Sequence, residues 1–398
     1  MINKIKERRR ASRLPIWFIV LTMLIFFALF EPCYAFHEAG VDNCKGCHVM
    51  NQSQGGQNQI GYNASGDVEL KEIDASSTCL KCHAEKGKPY NVLSNDGSTY
   101  SAGGDYYWLE RTFSWTENGR LYRSPGDSHG HNVVAVEYGL NRDNKLNSAP
   151  GGVYSSARLG CTSCHDPHSR MTVDNEQGIM PTLNPIDGAL NSTTNVGSYR
   201  LLGGLGYNAG SQYGGVTFRY PAPVAAADTH SLAETDSHHT AYASGMSEWC
   251  ANCHPDFLTS KDMHPSGNHA VLSGDIILNY NSYVKTGDFS GTQATSYLAL
   301  VPFESGTANA SSLDPTSTSG PEYGANVMCL TCHRAHASAF QDSGRWDFSA
   351  TFIADSHPKL SDGGATGNDV WNSYYGRNMD SEFGLYQRQL CNKCHVLD

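Results

Sequence analysis

The sequence predicts a mostly irregular chain with short α-helices and a small β-hairpin, and three observations lead to this fold class. Only 39% of the 398 residues are apolar and 40 are glycine, so regular elements alone have too little apolar surface to enclose a core of this size. Segments 51–66, 185–216 and 305–325 are rich in Gly, Ser, Asn and Thr, which is typical of loops. Finally, 12 of the 13 cysteines recur in one short motif. A group bound by these cysteines must therefore supply the core.

The regular elements that the sequence predicts are few. Helical patterns occur at 78–86, 247–257, 327–340 and 386–395. The hairpin signal is clearer, because residues 112–116 alternate in polarity, Asn118-Gly119 provides a two-residue turn, and Leu121 and Tyr122 continue beyond it. No break in composition marks a domain boundary, so we expect one domain.

The first 35 residues have the pattern of a secretory signal peptide. Six Lys and Arg residues precede an apolar run at 16–30, and Cys33-Tyr34-Ala35 places small residues at the recognition positions for cleavage. The run is short for a membrane span, with an uncleaved anchor as the alternative. A lipoprotein signal is disfavoured because the residues before Cys33 are not small. We expect a signal peptide at 1–35 and a single exported domain at 36–398 with no stable membrane span.

The charge balance excludes one class of partner. Loss of 1–35 removes six basic and two acidic residues and leaves a net charge of −15. Nucleic-acid binding needs a basic surface, so we exclude it. A cationic partner, ferric ions or minerals fit this charge better.

Every cysteine after residue 35 falls in a Cys-x-x-Cys-His motif, which occurs six times. The cysteines are Cys44, Cys47, Cys79, Cys82, Cys161, Cys164, Cys250, Cys253, Cys329, Cys332, Cys391 and Cys394. The motif histidines are His48, His83, His165, His254, His333 and His395. Two thiols three residues apart reach the two vinyl groups of one porphyrin and form thioether links, and the next histidine ligates the iron. The sequence therefore predicts six haem c groups, packed as a stacked row that serves as the core.

Two other interpretations of the motif are weaker. Three Cys₄ zinc sites leave no reason for a histidine after every second cysteine, and a thioredoxin-like redox pair needs one motif in a βαβ setting. Covalent haem attachment also takes place outside the cytoplasm in bacteria, where a signal peptide sends the chain. Haem then uses all 12 cysteines, so no disulfides are expected.

Each iron needs a second ligand on the opposite face of its haem, and bis-histidine ligation gives a low potential. Eleven histidines lie outside the motifs: His37, His129, His131, His168, His230, His238, His239, His264, His269, His336 and His357. His168 and His336 each follow a motif histidine by three residues and so lie on its side of the chain. Because one haem takes its ligands from opposite faces, these two must reach a neighbouring haem. His131 and His264 lie in loop contexts, and His37 follows the expected cleavage site.

The residues around the motifs resemble a known family, the filament-forming hexahaem outer-surface c-type cytochromes of metal-reducing bacteria. The resemblance is carried by 245–254, 329–338 and 386–395 at three motifs and by 199–204 and 299–304 between motifs, and it runs from residue 36 to 398. It implies a homopolymer in which haems alternate between parallel and T-shaped pairs, all irons are bis-histidine and most of the backbone is coil. It also implies electron transfer to iron oxides, partner cells or other redox cytochromes.

The resemblance also implies which histidines are distal ligands: His37, His131, His168, His264 and His336. In the family a histidine three residues after the first motif histidine is donated to a haem of the next subunit, but this chain has Asn51 there, and an amide is a poor haem ligand. Either another histidine replaces it or the link between subunits differs. We take His357 as the candidate sixth ligand. The other unassigned candidates are His238, His239 and His230.

Three functions are compatible with the sequence. The first is a polymeric conduit for extracellular electron transfer, and the second is a monomeric periplasmic or surface-bound carrier or terminal metal reductase. The third is a multihaem enzyme, which needs an iron with an open site and, in the nitrite type, often a Cys-x-x-Cys-Lys motif. No such motif occurs in the sequence. We therefore expect an electron-transfer protein rather than an enzyme.

Overall fold

The computed structural model describes residues 46–52, 58–60, 69–85, 91–167, 172–174, 178–180, 199–210, 215–227 and 233–396. The expected signal peptide lies outside these residues, as do His37, Cys44, His168 and His230. Most of the described backbone is irregular, which confirms the predicted fold class. Within the described ranges, no helix has the length and apolar character needed to cross a membrane.

The helices of the described residues have at most nine residues each. The α-helices are α1 (Ala75–His83), α2 (Met246–Cys250), α3 (Pro255–Thr259), α4 (Gly274–Ser282), α5 (Cys329–Cys332), α6 (Gly367–Ser373) and α7 (Met379–Glu382). Short 3₁₀ segments lie at Tyr106–Glu110, Gly126–Ser128, Val136–Tyr138, Ser156–Arg158, Cys161–Ser163, Tyr199–Leu201, Gln293–Thr295, Ala310–Ser312, Gln341–Ser343, Ile353–Asp355 and Leu390–Lys393.

The strands pair in small antiparallel sheets. They are β1 (Met50–Gln52), β2 (Asn58–Ile60), β3 (Phe113–Glu117), β4 (Arg120–Ser124), β5 (Thr172–Asp174), β6 (Gly178–Met180), β7 (Asn208–Ala209), β8 (Val216–Thr217), β9 (Val224–Ala227) and β10 (Thr240–Ser244). β1 pairs with β2, β3 with β4 and β7 with β8, and a four-stranded sheet has the order β10-β9-β6-β5. The predicted hairpin is confirmed, because β3 and β4 pair Glu117 with Arg120, and Asn118 and Gly119 both have positive φ, as a type I′ turn requires.

Two of the predicted helices form with changed boundaries. α1 begins at Ala75, earlier than predicted, because the Asp74 side chain caps it by accepting from the Ser77 N–H at 2.7 Å. The pattern at 247–257 splits into α2 and α3, with Pro255 at the start of the second helix. Both α1 and α2 carry the first cysteine of a motif, so the helices present the attachment sites.

Two helix predictions are largely wrong, and one loop prediction is wrong for those of its residues that the structure describes. At 327–340 only α5 is helical, because His333 adopts an extended backbone with φ −114° and ψ 164°. At 386–395 the chain forms only the 3₁₀ segment Leu390–Lys393. The segment 51–66, predicted as a loop, contributes residues to the paired strands β1 and β2.

Apolar side chains form compact clusters despite their low number. The largest cluster is built on aromatic rings and includes the buried Trp108, Phe113, Tyr280 and Trp346. The motif cysteine Cys391 packs at the edge of this cluster. The protein therefore places aromatic side chains next to a cysteine that attaches haem.

A buried charge network lies behind the fifth motif. One oxygen of Glu234 accepts hydrogen bonds from Arg334 at 2.7 Å and Arg345 at 2.8 Å, and all three side chains are at most 2% exposed. Burial by itself raises the pKa of Glu234, but the two guanidinium groups lower it to about 2. Arg334 also stacks over the ring of Tyr375 at 3.6 Å. The network holds both ends of the segment that carries His336.

Glu304 is a second buried carboxyl, and we expect its replacement by glutamine to stabilise the protein above neutral pH. Oε1 of Glu304 accepts from the Met246 N–H at 2.7 Å, an interaction that glutamine retains. Burial raises the pKa of Glu304 from 4.5 to about 7, so the folded state disfavours the ionised form. The penalty is absent below pH 4.5, grows up to pH 7 and is constant above it.

The measurement is guanidinium unfolding of wild type and Glu304→Gln at pH 5 and pH 8. The variant should gain about 2–3 kcal/mol at pH 8 and much less at pH 5. An equal difference at both pH values contradicts the assignment to Glu304 ionisation.

Candidate haem-binding row

The motif cysteines lie in one ordered row. The thiols of Cys79 and Cys161, from the second and third motifs, lie close enough to shift each other's pKa, and so do those of Cys250 and Cys329, from the fourth and fifth. The other neighbouring pairs, close enough for one thiol to raise the pKa of another, are Cys47 with Cys79, Cys164 with Cys253, and Cys332 with Cys391. The six motifs therefore follow one another in space in their order along the chain.

A serine forms a hydrogen bond from one motif to the next at two junctions, between the second and third motifs and between the fourth and fifth. Ser76 Oγ accepts from the Cys161 N–H at 3.1 Å, and Ser247 Oγ accepts from the Cys329 N–H at 2.9 Å. Each serine lies three residues before the first cysteine of its own motif. Sequence reasoning missed these positioning residues, although a Ser-x-x-Cys-x-x-Cys-His pattern at the second and fourth motifs marks them.

The first, third and fifth motifs share a backbone clamp. A three-residue return segment comes back to each motif and forms an antiparallel bridge with its histidine: 69–71, 201–203 and 343–345. The last residue of each segment donates its N–H to the second motif cysteine, at 2.9, 2.8 and 2.7 Å. The carbonyl of the first residue of each segment accepts from the N–H of the residue after the motif histidine, at 3.1, 2.7 and 2.7 Å. The clamp fixes the histidine backbone in an extended conformation, which ends the helix there.

Three motif histidines face a second histidine at the distance that an iron between them requires. Two metal–imidazole bonds of about 2 Å each, with half a ring on either side, separate two ring centroids by about 6 Å. The observed separations are 6.0 Å for His131 and His254, 6.4 Å for His165 and His336, and 6.0 Å for His264 and His395. His336 thus faces the third motif rather than the fifth, whose histidine it follows by three residues.

The second ring nitrogen is already used in five of these six histidines. Nδ1 donates to a backbone carbonyl: His131 to Ala335 at 2.7 Å, His165 to Arg200 at 2.8 Å, His254 to Pro150 at 2.8 Å, His264 to Pro265 at 2.9 Å and His336 to Gly104 at 3.4 Å. His333 of the fifth motif makes the same kind of bond to Asp342 at 2.7 Å. Such a bond fixes the tautomer that leaves Nε2 available to a metal. The residues therefore fit axial ligation of haem iron.

Burial favours the neutral form, which ligates metals, in three of the paired histidines. It lowers the pKa of His131 to about 4 and that of His336 to about 3, and it also lowers the pKa of His165. The described motif cysteines from Cys79 onward are not in disulfides. Both the thiols and the imidazoles are thus in a state that can react with haem.

Gly130 allows two distal histidines to lie side by side, and we expect Gly130→Ala to displace both. The His131 N–H donates to the His336 carbonyl at 2.8 Å, and a Cβ at Gly130 would lie 2.2 Å from that oxygen. The variant should lose about 1–3 kcal/mol of stability and show haem with altered axial ligation by magnetic circular dichroism. Gly367→Ala is the matched control, since a Cβ there meets nothing within 4 Å. Unchanged spectra in Gly130→Ala contradict the prediction.

Three other histidines that the sequence singled out contact aromatic rings, and one of them also bonds to a carboxylate. His357 stacks on Trp115 at 3.9 Å, and its Nδ1 donates to Asp362 at 2.6 Å. His239 stacks on Tyr297 at 3.8 Å. The ring of His333 meets Phe348, edge-on at 5.5 Å. His37, Cys44 and His168 lie outside the described residues, so their roles stay predictions.

The alternative of zinc sites finds no support in the described ranges. There, no three His, Cys, Asp or Glu side chains converge on a position that could hold a metal ion. The motif cysteines are spread along the row instead, two to a site, as covalent haem attachment requires.

Comparison with known proteins agrees with this geometry. No family model matches the chain. It is 38% identical to the C-type cytochrome OmcS of Geobacter sulfurreducens over 92% of this chain and 95% of that protein. Two solved structures from the same organism, an outer membrane cytochrome S filament and OmcS nanowires, each match at 37% identity with a TM-score of 0.72, covering 91% of this chain and 100% of theirs. The ordered motifs, the histidine pairs and this similarity show that the chain belongs to the OmcS family of c-type cytochromes.

Proposed function

We propose that the protein is an electron-transfer cytochrome that carries six haem c groups, each held by a motif histidine, and polymerises head to tail into an extracellular filament. The observation that carries this proposal is the set of three histidine pairs, 6.0–6.4 Å between centroids, along motifs that follow one another in order. Bound haem supplies reversible one-electron chemistry. The chain fixes the spacing and the ligands, so that neighbouring haems exchange electrons along the row.

The motif residues have separate roles in this proposal. The cysteines form the thioether links, and the histidine that follows each pair is the proximal ligand. His131, His264 and His336 are distal ligands on the evidence of their ring positions. His37 and His168 complete the set that the family resemblance implies. We propose no catalytic residue, because the chain passes electrons on rather than transforming a substrate.

Export and polymerisation follow from two further observations. The signal-peptide pattern sends residues 36–398 out of the cell, where the negative net charge suits ferric minerals and cationic partner cytochromes. The similar solved structures are a filament and nanowires. A head-to-tail contact that does not close on itself gives an open polymer, and a continuous haem row through that contact conducts along its length.

Electron microscopy of the secreted material tests polymerisation directly, with single particles rather than filaments supporting the monomeric carrier. Intact mass and haem absorbance on the same sample should give six haems per chain, and N-terminal sequencing should begin at Phe36. Fewer than six haems overturns the proposed ligation.

Filaments dried across two electrodes should carry a current. Haem-free protein is the control and should give only the background current.

A further inference from the structure

The haem row consists of three tandem copies of a two-haem unit, although the motif intervals are irregular. In each unit the first motif carries the backbone clamp, and these are motifs one, three and five. The second motif of the first two units carries the serine that binds the following motif, Ser76 in one and Ser247 in the other. The same contacts recur at equivalent positions, so the ligand positions should recur as well.

The observed histidine pairs give two rules. His131 precedes the third motif and faces the fourth, and His264 precedes the fifth and faces the sixth. The histidine before a unit therefore serves the second haem of that unit. His336 follows the fifth motif by three residues and faces the third. The residue at that position therefore serves the haem two motifs back.

Both rules extend to the sites that remain. His37 precedes the first motif and is assigned to the second haem, beside His83. His168 follows the third motif histidine by three residues and is assigned to the first haem, beside His48. The fifth haem, on His333, then needs a residue from a motif two places further on. One chain has no such motif, and in a head-to-tail polymer that residue is Asn51 of the next subunit.

The surroundings of His264, in the last unit, agree with an incomplete site at a subunit junction. Within the chain, His131 lies against the His336 segment, with its Nδ1 bonded to Ala335 at 2.7 Å. His264 is the equivalent of His131 in the last unit, yet it is exposed and its Nδ1 bonds to its own neighbour Pro265. The segment that would cover it belongs to another copy.

Two other histidines of the described residues, His129 and His357, are held by other partners. Both ring nitrogens of His129 are used, by Ser124 at 2.7 Å and by the Trp108 carbonyl at 2.9 Å. His357 is held between Trp115 and Asp362. The described ring contact of His333 is with Phe348 and not with a histidine. By contrast, the third, fourth and sixth motif histidines already face their partners.

We propose that the fifth haem, ligated by His333, has no histidine on its distal side and binds small exogenous haem ligands there, such as cyanide or imidazole, at the junction between subunits. The proposal rests on the proposed function for the presence of haem and for head-to-tail assembly. One iron of the row is then open to external ligands, and the other irons have both axial positions filled.

The test counts high-spin and cyanide-binding haem in secreted, haem-loaded filaments by magnetic circular dichroism and optical titration. Wild type should show one such haem in six. Asn51→His should convert it to low-spin haem and abolish cyanide uptake, whereas Asn51→Gln, which changes the same position without adding a ligand, should leave both unchanged. A fourth sample, His357→Ala, checks the histidine that the sequence nominates as sixth ligand and should resemble wild type.

Two outcomes overturn the proposal. Six low-spin haems in wild type show that the fifth iron is saturated, and a new high-spin haem in His357→Ala then identifies His357 as the donor. A high-spin haem that persists in Asn51→His places the open iron elsewhere. Haem content is measured on the same samples, so a loss of haem, which counts against the proposed function, is distinguished from a fully loaded but saturated row.

Discussion

Replacing Glu234 with alanine should lower the free energy of unfolding by about 3–5 kcal/mol, because it leaves two buried guanidinium groups without their common counter-ion. Arg334 and Arg345 both bond to one oxygen of Glu234, and none of the three side chains is more than 2% exposed. Arg334 follows the motif histidine His333, and Arg345 ends the return segment of the same motif. The loss should therefore loosen the segment that carries His336 as well.

The measurement is guanidinium unfolding of the haem-loaded protein, followed by Soret absorbance. The folded-state pKa of Glu234 lies at about 2, below its ordinary 4.5, so its contribution is present above pH 4.5 and is lost as the pH falls towards 2. Glu382→Ala is the control, since it breaks a partly exposed ion pair with Arg377, and should cost less than about 1 kcal/mol. A similar cost for both variants would falsify the role of burial.

Replacing His336 with alanine should convert the third haem from low spin to high spin and make it an electron trap. His336 supplies the ring that faces His165 at 6.4 Å, and alanine cannot ligate iron. Loss of a histidine ligand raises the haem potential, and a rise of roughly 0.1 V deepens the trap about 50-fold. Filament conductance should fall, since every electron must pass the third haem.

His129→Ala is the matched control for this prediction. His129 is buried like His336, but its two nitrogens bond to Ser124 and to the Trp108 carbonyl. Its loss should reduce stability and leave the haem spectrum unchanged. A high-spin signal above that of wild type in the control, or no such increase in His336→Ala, contradicts the assignment of the ligands.

The chemistry of the row could be predicted from the sequence because it is encoded in contiguous residues. Two cysteines and a histidine at fixed spacing specify attachment and one axial ligand wherever they occur. The spacing between His333 and His336 excludes a shared iron on geometric grounds alone. The β3–β4 hairpin was equally predictable, since Asn118-Gly119 specifies its turn locally.

The clamps and the charge network could not be predicted because their partners are distant and share no residue type. The residues that bridge the motif histidines are Leu70, Leu202 and Gly344, which follow them by 22, 37 and 11 residues. Glu234 lies 100 and 111 residues from its two arginines. Variable separation of this kind also conceals the repeat of clamped motifs. It explains why the helical pattern at 327–340 misled, because the returning backbone, not local propensity, sets the conformation after the clamped histidine His333.

The repeat of two-haem units gives every polymer of this chain a polarity. In the filament proposed above, the fifth haem of one copy meets the strand that carries residue 51 of the next copy. All subunits must therefore point the same way, and the two tips differ in chemistry. One tip of that filament would then end in a fifth haem without a neighbouring copy and the other in a first unit without one, so growth and attachment to a surface would each have a direction.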